Sequence, residues 1–268
     1  MKTRMESDSI GSLQIPSDAY YGVHTLRGVE NFQISGLRMR PAFIKNITLI
    51  KKAAAIVNGE HGFVPKHIAN AMVTACDEIL QGQFTDEFIT DALQGGAGTT
   101  VNMNVNEVIA NRATELLGGQ KGEYLCHPND HVNQAQSTND VIPTAGKLTV
   151  LDLADKLLEK LDVLINALMN KAQQFDGVIK MGRTQLEDAV PIRLGQEFHA
   201  YASALKRDYQ RIQRVLCEMH TVNLGGTAIG TCINAEKKYV ENILAALTNE
   251  CNRPLKHSDD FIDRKSVV

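Results

Sequence analysis

The sequence predicts an all-α fold, and three observations carry that prediction. Between Thr144 and Phe175, Leu148, Leu151, Leu158, Leu161, Ile165, Leu168 and Ala172 recur at three-, four- and seven-residue spacings, the period of a helix that buries one stripe rather than of an alternating strand. A second run, Leu194 to Val222, places Phe198, Tyr201, Leu205, Ile212, Val215, Leu216 and Met219 similarly. The apolar content is 43%, with 5% aromatic residues and no tryptophan, which predicts a core of Leu, Ile, Val, Ala and Met. Helices this long need neighbours along their length, so an oligomeric bundle is expected.

The remaining elements follow in order. Residues 1 to about 38 read as irregular, punctuated by Gly11, Pro16, Gly22, Gly28 and Gly36. Helical runs are expected near 41–59, 66–81, 84–93 and 100–117. The last opens from Gly95-Gly96-Ala97-Gly98-Thr99-Thr100, where Thr99 or Thr100 can serve as N-cap. Its glycines let backbone approach a ligand closely, and the free N–H groups of a helix start favour a carboxylate or phosphate. Asn102 and Asn106 lie one turn apart and share a face, and buried amides need partners. The plainer alternative is a capped helix with an internal amide network.

A second polar cluster, Gln136-Ser137-Thr138-Asn139-Asp140, lies between Pro128 and Pro143 and reads as a loop entering a helix. Ser137, Thr138 and Asn139 offer two hydroxyls and an amide in succession, enough to hold both oxygens of a carboxylate. An ST-turn or Asx-turn that caps the next helix is the competing reading. A third segment, Lys180 to Pro191, reads as a loop between the two long helices, where binding groups concentrate. Residues 237–249 predict one more, shorter helix before Pro254.

Weaker signals point elsewhere. His127 and His131 have the i, i+4 spacing of helix metal ligands, but Pro128 disfavours a regular helix and no third ligand is close in sequence, so no metal is assigned. Gly225-Gly226-Thr227-Ala228-Ile229-Gly230 follows a helix rather than a strand and reads as a tight turn, not a nucleotide loop. His199 and His220 read as bundle residues. A net charge of −3 argues against nucleic acid as a partner. The five cysteines form no C-x-x-C or disulfide framework, and no apolar signal or membrane-length stretch is present, which together predict a cytoplasmic chain without a membrane partner.

These motifs taken together resemble the aspartase/fumarase superfamily of lyases, from about Glu6 to about Asp263. The resemblance rests on Asp18-Ala19-Tyr20-Tyr21-Gly22-Val23-His24-Thr25, Glu30-Asn31-Phe32, Asn104-Val105-Asn106-Glu107-Val108, His127-Pro128-Asn129-Asp130-His131-Val132-Asn133, Ser137-Thr138-Asn139-Asp140 and Gly182-Arg183-Thr184-Gln185. Tyr20 to Thr25, Lys121-Gly122-Glu123-Tyr124 and Ser137-Thr138-Asn139 are similar to the aspartase branch. Gly118-Gly119 and His127-Pro128 are similar to the fumarase branch, and Gln185 stands where fumarases carry histidine.

The resemblance implies a small, mostly helical N-terminal domain over 1–140 and part of a central long-helix bundle over 141–268. It implies reversible elimination of ammonia from L-aspartate to give fumarate, with no organic cofactor and a metal at most as activator. Ser137, Thr138, Asn139 and Thr184 match positions that hold the substrate carboxylate, Thr99, Asn139 and Gln185 those near the departing amine, and His127, Asn129 and Asp130 a secondary anion site. Family sites are assembled from three subunits of a homotetramer. The family's base is a serine in a Gly-Ser-Ser loop followed by Met, Lys and Asn, and no such run occurs in 1–268. No catalytic residue is therefore expected, and the ending Arg264-Lys265-Ser266-Val267-Val268 reads as a truncation or frameshift. The competing readings are a class II fumarase and a non-catalytic helical chain that associates with a full-length lyase.

Overall fold

A computed structural model describes residues 2–263 and divides them into two compact units. The first runs to Thr149 and resumes at His220; the second is Val150–Met219. In chain order the elements are β1 (Thr3–Ser7), β2 (Ser12–Pro16), α1 (Val23–Asn31), α2 (Pro41–Glu60), α3 (Lys66–Leu80) and α4 (Thr99–Leu116). They continue with α5 (Thr138–Gln174), β3 (Ile179–Thr184), β4 (Glu187–Arg193), α6 (Leu194–Met219), β5 (Thr221–Val222), α7 (Lys237–Cys251) and β6 (Lys256–His257). The protein is predominantly helical, as the apolar spacing predicts. These units cut the chain at other points than the 140/141 boundary, and the ending from Arg264 lies outside the described residues.

In the first unit α2 is the central helix. Pro41 sits at its first position, where the missing N–H costs nothing. Ile44, Ile47, Ile50, Ala53, Ala54 and Val57 are buried, because α3 packs on one flank and α7 on another. Each fully buried Ile or Val here contributes about 1.5–3 kcal/mol. Gly59 allows the close approach to α3, since a Cβ there would lie 2.6 Å from that of Ala69.

Two expectations for this unit are corrected. Residues 1–38 are expected to be irregular, but within the described 2–38 β1 and β2 form an antiparallel hairpin registered from Thr3↔Pro16 to Ser7↔Ser12, and α1 spans Val23–Asn31. Their weak apolar pattern has a cause, because polar groups hold this region. Arg4 donates to the carbonyls of Pro16, Ala19 and Tyr21 at 2.8–3.0 Å. The run 84–93 is not a helix beyond the single turn Thr85–Glu87. Phe84 is left-handed (φ 60°), and Asp91 takes N–H groups of Ser35, Gly36 and Leu93, pinning the chain as an irregular strap.

Pro143 lies inside α5 rather than ahead of it. A proline there leaves the carbonyl four residues back without its helical donor. That carbonyl, on Asn139, accepts from the Asn223 side chain at 3.1 Å, so the helix continues.

In the second unit, the expected loop at 180–191 is instead a β-hairpin. β3 and β4 pair from Ile179↔Arg193 to Thr184↔Glu187, with a bulge between Met181 and Arg183. Gly182 sits in the bulge, where a Cβ would lie 2.7 Å from the Val190 carbonyl oxygen. The two-residue turn Gln185-Leu186 has φ of 46° and 69°, the primed geometry that matches strand twist. Alternating short strands lacked a glycine-type turn signal, which is why the sequence reads as loop. α6 starts against α5 at Gly195, whose N–H donates to the Phe175 carbonyl at 3.0 Å. Leu157, Val163, Leu164, Tyr201 and Val215 are exposed on these helices.

Candidate active site

The glycine-rich start of α4 is built from three successive left-handed residues, Gly96, Ala97 and Gly98, with φ of 66°, 51° and 91°. Neither threonine caps the helix. Gly98 is the N-cap and Thr99 the first helical residue, with its hydroxyl donating to the Gly96 carbonyl at 2.6 Å. Gln94 supplies the missing acceptor, taking the Val101 N–H at 2.8 Å. Thr99 and Thr100 thereby face an open cavity of about 540 Å³, lined also by His24, Arg27, Glu30 and Met103.

Next to this start lies that of α5. A Cβ on Gly98 would meet the Ile142 side chain at 3.1 Å, so the two helix starts touch. Ser137 accepts the Asn139 N–H on its hydroxyl at 3.3 Å, while its own N–H donates to Asp140 at 2.9 Å. This is a reciprocal cap, the plainer of the two sequence readings, and it orients Thr138 and Asn139 at the half-buried helix tip. The Asn139 side chain donates to the Ala228 carbonyl at 2.7 Å.

Asp140 anchors the tip. Its second carboxylate oxygen accepts the N–H groups of Gly225 and Thr227 at 3.1 and 3.0 Å. The 225–230 segment is thus a turn that clamps a carboxylate of its own chain. Burial pushes Asp140 up to about 6, opposed by those three amides and by Lys51.

Beneath the tip, Asn133 collects the buried amides. Its Oδ1 accepts from Lys51 Nζ at 2.8 Å, Asn102 at 3.2 Å and Asn106 at 3.3 Å. The expected sharing of a face by Asn102 and Asn106 is realised here. Lys51 also donates to Gln136 at 3.0 Å and is fully buried, which pulls it down to about 7.

A separate buried carboxylate holds α1. Glu107 accepts the N–H groups of Gly22, His24 and Thr25 at 2.8–3.0 Å and the Thr25 hydroxyl at 2.5 Å. It caps from α4 a helix whose own N-cap, Gly22, has no side chain. Burial raises its pKa while those donors oppose the shift. Tyr124 and Glu6 complete the cage, with the phenol donating to Glu6 at 2.5 Å.

In the His127 segment, His127 Nδ1 accepts the N–H groups of Asn129 and Asp130 at 3.3 and 3.2 Å, and the His127 N–H donates to His131 Nδ1 at 2.9 Å. His127 therefore caps a π-helical turn, Pro128–Val132, and His131 within that turn holds the His127 N–H. Asn129 and Asp130 are exposed. Among the described residues no group of three or more His, Cys, Asp or Glu side chains converges as a metal site.

The first unit places Thr99 at the start of α4 and Ser137, Thr138 and Asn139 at the start of α5, with the two starts meeting at Gly98 and Ile142; the cavity that Thr99 lines does not include 137–139. Thr184 and Gln185 belong to the second unit, both exposed at the tip of the β3–β4 hairpin. Reading the sequence for motifs overlooked Lys51, Asn133, Asp140 and Glu107 as organising groups. The available signal was charge at a core-facing position of an apolar helical run, as at Lys51 in Leu49-Ile50-Lys51-Lys52-Ala53.

A family model described as Lyase matches residues 11–263. The chain belongs to this lyase family. Within it, an aspartate ammonia-lyase of Bacillus sp. is 48% identical over 261 residues, covering 97% of this chain and 56% of that relative. The crystal structure of a fumarate lyase:delta crystallin from Brucella melitensis superimposes with a TM-score of 0.93 at 47% identity, covering 98% of this chain and 58% of that one. A class II fumarase from Schistosoma mansoni gives 0.90 at 35% identity, covering 97% and 58%. The chain spans little more than half the length of these lyase relatives.

Proposed function

We propose that this chain carries the substrate-carboxylate part of an aspartate ammonia-lyase, acting in the reversible conversion of L-aspartate to fumarate and ammonia. The observation that carries the reading is the start of α5, where Ser137, Thr138 and Asn139 stand half-buried above the Lys51–Asn133–Gln136 layer, with the start of α4 meeting it at Gly98. The 48% identity to an aspartate ammonia-lyase, against 35% to a class II fumarase, supports aspartate over malate.

Removing a proton from the carbon beside a carboxylate builds a second negative charge on that carboxylate. Donors already aimed at its oxygens lower the barrier, because they need not reorganise as charge develops. In this reading the Ser137 and Thr138 hydroxyls and the Asn139 amide serve the carboxylate, and Thr184 is assigned to it by its match to the family motif alone. Thr99 and Gln185 serve the amine. His127, Asn129 and Asp130 form a secondary anion site. No residue of 1–268 is assigned as the base, so the chain alone is proposed to bind without turning over.

We further propose a homotetramer of cytoplasmic location. The exposed Leu157, Val163, Leu164, Tyr201 and Val215 support self-association, since apolar helix faces of this kind mark interfaces. All five cysteines are free, which fits a reducing compartment. Among the described residues no helix is long and apolar enough to cross a membrane. The test is a substrate panel run on the chain mixed with a separately expressed C-terminal part of an aspartate ammonia-lyase. Ammonia release from aspartate with no hydration of fumarate supports the reading; malate formation instead identifies a fumarase.

A further inference from the structure

α2 is buried over most of its length, and Lys51 within it is completely buried. An ammonium in that place is far costlier than a methionine of similar length, and its two acceptors, Asn133 Oδ1 and Gln136 Oε1, are neutral amides. Those two side chains fold a loop back on itself. Asn133 donates to the Gln136 carbonyl at 3.2 Å, and Gln136 donates to the carbonyls of Val132 and Gln134 at 3.0 and 3.2 Å. The ammonium fastens both at once. Gln136 is followed directly by Ser137, the cap of α5, so any freedom at Gln136 passes straight to the helix tip.

We infer that Lys51 is a positioning residue: by holding Asn133 and Gln136 it fixes Ser137, Thr138 and Asn139 in the orientation the carboxylate site requires. The inference rests on the carboxylate reading above. Around Lys51 the titratable groups are Asp140 on α5 and Cys76 on α3, whereas α4 offers only the neutral amides Asn102 and Asn106. With a pKa drawn down to about 7 by burial, the ammonium would loosen its hold as pH rises above neutrality.

Hydrogen exchange of the whole chain tests this, comparing wild type with Lys51→Met and Gln136→Met. Gln136 is only half-buried, so its variant is expected to fold even if Lys51→Met does not. Both variants should exchange the 133–140 amides about tenfold faster, with protection in α3 and α7 unchanged. Fumarate, used as the probe, should slow exchange at 137–140 in wild type, and its half-maximal concentration should rise about tenfold in Gln136→Met at equal melting temperature. Unchanged exchange at 133–140 in Gln136→Met overturns the inference, as does a lower melting temperature with the fumarate midpoint unmoved. If fumarate slows nothing in wild type, the carboxylate reading fails and the positioning role falls with it, while unchanged 133–140 exchange in a folded Lys51→Met overturns the inference by itself.

Discussion

Asp140 and Thr227 are joined across 87 positions by a hydrogen bond of 3.0 Å from the Thr227 N–H to the Asp140 carboxylate. Asn139 repeats the link one residue earlier, donating to Ala228 and accepting from Asn223. The start of α5 is therefore held from below by Lys51 through Gln136 and from the side by the 223–228 turn. Two buried ionisable groups, Lys51 and Asp140, thus tie down a helix start whose own half-buried groups are neutral hydroxyls and amides.

Asp140 makes stability depend on pH in a defined direction. Its folded pKa of about 6 lies above the ordinary 3.8, so between those values the folded chain binds more protons than the unfolded one. The stabilisation from the protonated form is fully present below about pH 4 and lost as pH rises through 6, on the order of 3 kcal/mol. Asp140→Asn should flatten this dependence, measured as the difference in denaturant unfolding between pH 4 and pH 7.

Gly22→Ala should destabilise the first unit by about 2 kcal/mol or more. The added Cβ would lie 2.5 Å from the Tyr124 hydroxyl, 2.6 Å from Glu6 and 2.8 Å from Glu107, forcing apart the cage that caps α1. Thermal unfolding checks this, and an unchanged melting temperature would mean the cage is slack.

Thr184→Val and Asn139→Ala should separate function from stability. In a protein completed by the C-terminal part, each should lower turnover roughly a hundred- to a thousandfold as a lost oxyanion donor. Thr184 is exposed on its hairpin, so its variant should melt like wild type. Asn139 also ties down Ala228, so its variant should lose about 1 kcal/mol of stability as well.

Leu186→Gly should stabilise the β3–β4 hairpin by about 1 kcal/mol. Leu186 holds φ of 69° and is 96% exposed, so the change relieves backbone strain and sacrifices almost no burial. Slower exchange of the Thr184 and Glu187 amides is the expected readout.

The long helices were legible because burial against neighbours imposes a 3.6-residue period over many turns, as from Leu148 to Ala172. Glycines 96 and 98 were legible as a helix start, since little else tolerates such backbone. The β1–β2 hairpin was not, because Arg4 and Glu6 hold it rather than an alternating apolar face. Gln185-Leu186 hid the second hairpin by lacking glycine. The roles of Lys51 and Asp140 depend on partners 82 to 87 positions away, and no local pattern encodes those distances.

Under the proposed function, residues 1–268 contribute carboxylate-binding groups and none of them is assigned as the base. The most direct test is fumarate formation from L-aspartate by the purified chain, alone and mixed with a C-terminal part of an aspartate ammonia-lyase. No fumarate above the uncatalysed background is expected from the chain alone, because the lack of a general base costs about a hundred- to ten-thousandfold, and measurable fumarate is expected from the mixture. Steady fumarate production by the chain alone would contradict this and require a base within residues 1–268.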